Sequence, residues 1–337
     1  MDWSNTSVLV TGGAGFIGSH LAERLVDLGA DVRIADDFSR GHLDNVETFR
    51  EDIDLLPVDL TTESGCLRAT DGVDHVFHLA ASVGGIHYIQ SANVGGLTPS
   101  VLMNQQMLEA ARRNGVDRFL FASSACIYRQ QHDGLNRFSE EQAIPANPHS
   151  TYGWAKVLGE VAARAYQEDS DLDCAVVRIF NAYGPREVLD PETAHVIPSF
   201  IRKAIAYPDQ EFEMFGDGTQ ERGFIYVKDL VEGMLRAIER KADGEPINLG
   251  NGEEVVSIME LAEQVVELSG KDIEIHHDEE GPEGTYKYAA DTERMEAALD
   301  WTPEVGLEEG LRRTYEWAAE ELDAAGPAAE AEAGANR

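Results

Sequence analysis

The sequence predicts an α/β fold: a doubly wound parallel sheet followed by a smaller C-terminal lobe. Two observations predict it. Across the first half, apolar runs of strand length alternate with stretches of helical apolar spacing, the pattern of a parallel sheet covered on both faces. After about Asn181 the rhythm breaks, and Pro185, Pro191, Pro198 and Pro208 punctuate shorter elements. A length of 337 residues accommodates both parts.

Ser7–Val10, Val32–Ala35, Ile53–Val58, His75–Ala80, Arg118–Ser123 and Cys174–Phe180 read as buried strands, each rich in Val, Ile, Leu or Phe. Phe16–Leu28, Leu102–Asn114 and Tyr152–Glu168 show helical spacing of apolar residues. In the second half, Gly216-Asp217-Gly218 marks a turn before a strand-like Phe224–Val227, and helices are expected at Asp229–Arg240 and Ile258–Ser269. The expected organisation is a main sheet domain over 1–180 and a lobe over 181–322, with some chain crossing back. An acidic tail over 323–337, without aromatic or β-branched residues to anchor it, is expected to be mobile. The sequence shows no internal repeat.

The formal net charge is −35 and is spread along the whole chain. Lysine occurs only at Lys156, Lys203, Lys228, Lys241, Lys271 and Lys287. Self-repulsion on this scale works against compactness in dilute buffer, so the composition points to a salty, halophilic cytoplasm where screening acts over a few Å. No basic patch exists to release counterions, which excludes nonspecific nucleic-acid binding. Cys66, Cys126 and Cys174 are scattered and show no paired spacing, so a reducing, cytoplasmic compartment is expected. No basic leader precedes an apolar run, and no segment has the length of a bilayer span, so neither secretion nor membrane insertion is expected.

Val8-Leu9-Val10-Thr11-Gly12-Gly13-Ala14-Gly15-Phe16-Ile17-Gly18 places Gly12, Gly15 and Gly18 where a strand exits and a helix begins. Without side chains the turn can be tight, and backbone N–H groups, with the helix N-terminus opened by Phe16 and Ile17, can approach a pyrophosphate. The second strand ends in Asp36-Asp37, where a carboxylate accepts hydrogen bonds from ribose hydroxyls and repels a 2′-phosphate. The expected cofactor is therefore NAD; Arg40 is the nearby residue that argues for NADP. In so acidic a chain the bland reading of the two aspartates is a solvated turn.

Tyr152 and Lys156 lie four apart in a helical stretch, on one face about one turn apart. An ammonium beside a phenol favours phenolate and lowers its pKa from about 10. Tyr152 can then take a hydroxyl proton as hydride leaves the same carbon. Ser124, at the end of the preceding strand, can hydrogen-bond the reacting oxygen. In this order Gly12/Gly15/Gly18, Ser124, Tyr152 and Lys156 resemble the extended short-chain dehydrogenase/reductase family, the NAD-dependent epimerase/dehydratases, from about Ser7 to the last helix. The resemblance implies a Rossmann domain with a substrate-binding C-terminal lobe and homodimers built on a helical face. It implies Asp59 and Leu60 near the adenine, and Gly84, Gly85, Asn181, Lys203 and Arg222 as substrate residues. Asn181 and Arg222 would hold a nucleotide diphosphate, for which a guanidinium fork is suited.

Family members begin alike by oxidising a sugar hydroxyl and differ in the two residues after Ser124. Here those are Ala125-Cys126, not the Asp-Glu of a 4,6-dehydratase. Ala122-Ser123-Ser124-Ala125-Cys126-Ile127-Tyr128, Val83–Gln90, Phe212–Gly218 and Gly281–Gly284 resemble the GDP-mannose 3,5-epimerases, implying a GDP-hexose substrate. Those enzymes pair the cysteine with a lysine; the matching place here is His195, and a Cys/His pair resembles the GDP-fucose synthases. Either pairing can remove and replace the C3 and C5 protons acidified by a C4 ketone. Taken alone, Cys126 is more often a small core residue and His195 a surface or cap residue. The remaining expectations are a GDP-fucose-synthase-like reductase, a UDP-sugar 4-epimerase, or a noncatalytic NAD-binding sensor. His87, His132, His149 and His276-His277 are read as structural, adjacent histidines on an extended segment pointing to opposite faces, and no metal site is expected. Arg129 stands after the Cys-Ile-Tyr motif where relatives carry proline, and Pro99-Ser100 stand about where they carry asparagine.

Overall fold

The computed structural model describes residues 1–82, 94–129, 137–148, 150–191, 193–278 and 287–325. A seven-stranded parallel sheet has the order β11-β6-β5-β4-β1-β2-β3. Its strands are β1 (Ser7–Thr11), β2 (Asp31–Asp36), β3 (Ile53–Pro57), β4 (His75–His78), β5 (Arg118–Ser124), β6 (Asp173–Ile179) and β11 (Pro246–Leu249). The first six answer to the apolar runs of the sequence. The seventh comes from far down the chain, past β7 (Ala182–Tyr183), β8 (Phe212–Phe215), β9 (Glu221–Gly223) and β10 (Ile225–Tyr226).

Alternate side chains of β1, β4, β5 and β6 enter two different cores, which is why these runs are apolar, whereas Arg33 of β2 and Asp54 of β3 interrupt theirs and pair at 2.7 Å. Val8, Val10, Ile34, Phe77, Ala175 and Val177 pack on one face, covered by α1 (Phe16–Asp27) and by α6 (Val227–Arg240), which also packs on α8 (Glu293–Leu299). Leu9, Ala35, Val76, Phe119, Phe121 and Val176 pack on the other, beneath α2 (Glu63–Thr70), α3 (Val94–Asn114) and α4 (Thr151–Asp169). α3 starts eight residues before its expected start at Leu102 and holds Pro99 in its second turn, where the missing N–H forfeits one helical bond.

A third core gathers Tyr183, Phe200, Phe212, Met214, Phe224, Leu261 and Leu311. It joins α5 (Val196–Ala206), α7 (Ile258–Ser269) and α9 (Leu307–Ala325) to the short strands. The expected strand Phe224–Val227 is split: β10 ends at Tyr226 and Val227 opens α6. β12 (Val255–Ser257) and β14 (Lys287–Tyr288) flank β9, and β13 (Ile275–Asp278) pairs with β8. His276 and His277 lie on β13, and His277 Nδ1 meets the carbonyl of Gly216 at 3.2 Å. Asp323–Ala325 close α9, so the expected tail begins as helix; 326–337 lie outside the described residues.

Candidate active site

The loop from β1 into α1 is built for close approach. Gly12 has φ +67°, and a Cβ on Gly18 would collide with the carbonyl oxygen of Gly12 and lie 2.8 Å from Gly13 Cα. α1 has Gly15 as N-cap and no side chain capping its first amides, so the N-terminal N–H groups of Phe16 and Ile17 face outward from the strand ends as an anion site requires. At the end of β2, Asp36 is 7% exposed and accepts hydrogen bonds from Ala14 N (3.0 Å) and Phe38 N (2.9 Å). Burial pushes its carboxyl up, and these two amides pull against it. Asp37 turns back on Ser39 instead, 2.9 Å from its amide and 2.6 Å from its hydroxyl, so the solvated-turn reading suits Asp37 and not Asp36. Asp59 is exposed and bonded to the amide and hydroxyl of Thr61, which lower its pKa; Leu60 beside it is buried. Bare glycine backbone, an uncapped helix start and a ribose-range carboxylate fit a dinucleotide.

β5 ends at Ser124, whose Oγ caps the next turn by accepting the amide of Cys126 at 3.1 Å. α4 begins above that turn, capped by Ser150. A Cβ on Gly153 would collide with the carbonyl oxygen of Cys126, so glycine between Tyr152 and Trp154 lets the helix start settle on the Cys126 backbone. This close approach brings Ser124, Cys126, Tyr152 and Lys156 together. The Ser124 hydroxyl and the Cys126 thiol both act on the Tyr152 phenol. The Lys156 ammonium is buried, lies 5.6 Å from the Tyr152 ring centroid, and donates to the carbonyl of Ala122 at 2.6 Å.

The sequence expectation that Lys156 lowers the Tyr152 pKa is not what the site shows. Burial pushes the phenol up, Cys126 adds to the rise, and only Ser124 opposes. Burial also brings Lys156 down to about 8. Desolvation outweighs attraction because both groups are enclosed together. Burial raises the Cys126 thiol as well, against the Ser124 hydroxyl, the Lys156 charge and the Tyr288 phenol.

Tyr288 is the site residue that sequence reasoning missed; the available signal was Lys287 standing between two tyrosines. Its ring packs on Phe138 and Phe180 at centroid distances of 5.5 and 5.6 Å, and the Arg222 guanidinium lies 6.0 Å from it. Asn181, at φ +34°, donates to the carbonyls of Gly223 (2.8 Å) and Tyr288 (3.4 Å). Arg222 donates to a carbonyl, that of Glu221, and burial lowers its pKa to about 10. A half-buried guanidinium answered, among the described residues, by a carbonyl and a phenol and not by a carboxylate can receive an anionic ligand. Lys203 stands apart on α5, donating to the carbonyl of Glu213 at 2.6 Å and lying 5.6 Å from the half-exposed ring of Phe215.

His195 is the N-cap residue of α5, and its Nδ1 lies 2.7 Å from Glu187 Oε1. Its described hydrogen bond thus ties it to Glu187, outside the Ser124/Cys126/Tyr152/Lys156 cluster. Gly84 and Gly85 lie outside the described residues, as do His87, His132 and His149.

Comparisons with known proteins agree with this geometry. GDP-mannose 3,5-epimerase of Arabidopsis thaliana is 38% identical over 322 residues, covering 95% of this chain and 84% of that protein. UDP-N-acetyl-alpha-D-glucosaminuronate decarboxylase of Bacillus cytotoxicus is 33% identical, over 92% of this chain and 96% of its own. The crystal structure of UDP-glucose 4-epimerase with UDP-glucose from Thermotoga maritima superposes with a TM-score of 0.86 at 29% identity, covering 94% of this chain and all of that one. The family model for NAD dependent epimerase/dehydratases matches residues 8–250. The chain is therefore an enzyme of the NAD-dependent epimerase/dehydratase family, with an extended short-chain dehydrogenase/reductase fold and NAD as its cofactor.

Proposed function

We propose that this enzyme is a GDP-hexose 3,5-epimerase: it oxidises C4, inverts C3 and/or C5, and reduces C4 again. The observation that carries the reading is a partly exposed thiol, Cys126, inside the Ser124/Tyr152/Lys156 cluster. Bound NAD supplies a reversible hydride acceptor for C4. Gly12, Gly15, Phe16, Ile17 and Gly18 would hold its pyrophosphate, Asp36 its ribose, and Asp59 and Leu60 its adenine end. Ser124 holds the reacting oxygen and opposes the rise of the Tyr152 phenol while Tyr152 takes the hydroxyl proton; the Lys156 charge, present below about pH 8, favours the Cys126 thiolate. Cys126 and His195 then remove and return the protons of the carbons beside the ketone. Asn181, Arg222 and Lys203, with Gly84 and Gly85, bind the nucleotide diphosphate sugar.

Likeness to GDP-mannose 3,5-epimerase supports the GDP-hexose assignment; the structural neighbour that binds UDP-glucose favours a 4-epimerase as the second reading. GDP-mannose and UDP-glucose turned over in deuterated buffer, followed by NMR, separate them. Deuterium at C3 or C5 of GDP-mannose, lost in Cys126→Ser, supports the proposal; a product inverted only at C4, with no deuterium, refutes it. Net oxidation of a reduced cofactor would point to a GDP-fucose-synthase-like reductase, and no turnover of any sugar to a noncatalytic sensor.

We also propose a homodimer. Trp154, Leu158 and Val161 on α4 and Leu102 on the adjoining α3 are large, apolar and exposed, a patch of the kind that protein contacts cover. Light scattering of Trp154→Glu checks it: a mass equal to that of the unsubstituted protein counts against this face. Three unpaired cysteines support a reducing, cytoplasmic setting, and among the described residues no helix is long and apolar enough to cross a membrane.

A further inference from the structure

We propose that Glu187 is the positioning residue of His195: its buried carboxylate holds the imidazole by Nδ1 and leaves Nε2 as the nitrogen that exchanges protons with substrate. The inference rests on the reading of His195 given above and extends it to a residue which neither the motifs nor the family resemblance singled out.

The two side chains sit in opposite environments. Glu187 is 3% exposed, whereas His195 is 62% exposed, and they meet at 2.7 Å. The other carboxylate oxygen, Oε2, is buried and has no hydrogen-bond partner among the described residues. A buried carboxylate with one oxygen unanswered is a costly way to tether a surface ring. A glutamine amide would accept the same Nδ1–H without that cost, so what the carboxylate adds is charge.

The ring's own position makes that charge necessary. His195 stands at the N-terminus of α5, where the positive end of the helix dipole disfavours imidazolium. Among the described residues, the charged groups acting on the ring are Glu187, which raises its pKa, and Arg40, which lowers it. The carboxylate prevails, and the ring titrates above its ordinary value.

The same contact fixes the tautomer. An ionised carboxylate only accepts, so Nδ1 must carry a proton in both charge states of the ring. In the neutral ring Nε2 is therefore bare and can take a carbon-bound proton; in the imidazolium it can give one back. Without Glu187, both tautomers are open and the ring is neutral over more of the pH range, so fewer rings hold the proton that must be returned and Nε2 is a weaker base.

The test uses the full-length enzyme with 13C/15N-labelled histidine, His195→Gln assigning the resonance. In the unsubstituted protein the His195 titration midpoint is expected above 6.5, with Nδ1–H as the neutral tautomer. Glu187→Gln is expected to lower the midpoint by about one pH unit. On GDP-mannose it should cut kcat for deuterium incorporation at C3/C5 about tenfold while KM stays within about twofold. Glu187→Asp, which keeps the charge, should restore the midpoint in part. A midpoint at or below the ordinary value in the unsubstituted protein, or one that Glu187→Gln leaves in place, overturns the proposal, and the first of these needs no variant to fold. If the midpoint moves but His195→Gln leaves deuterium incorporation intact, Glu187 still orients the ring, and it is the assignment of His195 in the reaction that fails.

Discussion

Glu160→Gln should cost this enzyme about 3–5 kcal/mol of stability, the range for breaking one partner out of a buried ion pair. Arg178 on β6 is 3% exposed and grips Glu160, itself 13% exposed, through Nε at 3.0 Å and Nη2 at 2.8 Å. Its remaining N–H groups donate to the Tyr128 hydroxyl and the Glu140 carbonyl, both at 3.0 Å, and neither can replace a carboxylate charge. The amide of glutamine keeps the volume and its oxygen can still accept from Ser123 Oγ, which reaches Glu160 at 2.5 Å, and from Arg178 Nε, but its NH2 then faces Arg178 Nη2 donor to donor, so the loss combines the charge with one hydrogen bond. For a chain of this size, about 2 °C per kcal/mol converts that cost to a Tm drop of about 6–10 °C. Thermal unfolding followed by circular dichroism reads it, at low salt and again at about 1 M KCl, where surface charges are screened within about 3 Å but this pair is not. A drop under about 2 °C, or one that vanishes at high salt, would show that the pair behaves as a solvated one. Replacing both partners with apolar residues, as in Glu160→Leu/Arg178→Met, should recover much of the loss, since the stranded charge and not the missing attraction carries the penalty.

Burial lowers His78 to about 3 and His20 to about 4, so the unfolded chain binds protons there that the folded chain does not. Stability attached to these groups is present above pH 6.5 and is lost as pH falls toward those values; by pH 5 each accounts for up to about 2 kcal/mol. His78→Gln, which can still bridge Thr11 and Asn104, should flatten the fall of Tm between pH 6.5 and 5, and an unchanged slope would contradict the burial argument. Gly18→Ala should weaken NAD binding at least tenfold by fluorescence titration, because the atoms a methyl would meet are backbone and cannot turn aside. Raising KCl toward molar concentration should raise Tm steadily, since a charge of −35 repels itself across the whole surface; no gain would refute a halophilic setting.

The sheet was legible because β1, β4, β5 and β6 send alternate side chains into two apolar cores and so appear in the sequence as hydrophobic runs, while β2 and β3 keep the pattern around the paired Arg33 and Asp54. β11 did not stand out, since Pro-Ile-Asn-Leu is short and nothing in a local pattern says which sheet edge it will join. The glycine trio and the Tyr152/Lys156 pair were readable from spacing, because turn geometry and helix pitch act within a few residues; Ser124 lies far from them in sequence and was read from its place at a strand end and from the order of the family's residues. Tyr288 was not readable, since it owes its place to β14 docking on β9, and neither was Glu187, which lies only eight residues before His195 but belongs to no recognisable motif. The direction of the Tyr152 pKa also escaped sequence reasoning, which counts charges but does not see enclosure.

β11 carries Asn248, whose side chain binds the Tyr128 hydroxyl at 2.6 Å and the Phe138 carbonyl at 2.8 Å, and whose amide donates to Glu140 at 2.8 Å. The wall behind the Ser124–Tyr128 turn is thus finished by a residue made 120 positions after Tyr128. A nascent chain stalled near residue 180 would expose the unpaired edge of β6 and leave the Tyr128 hydroxyl without this acceptor. Cutting the gene near residue 180 should accordingly yield aggregates and not a free-standing fragment, and on the ribosome the first six strands must wait for β11.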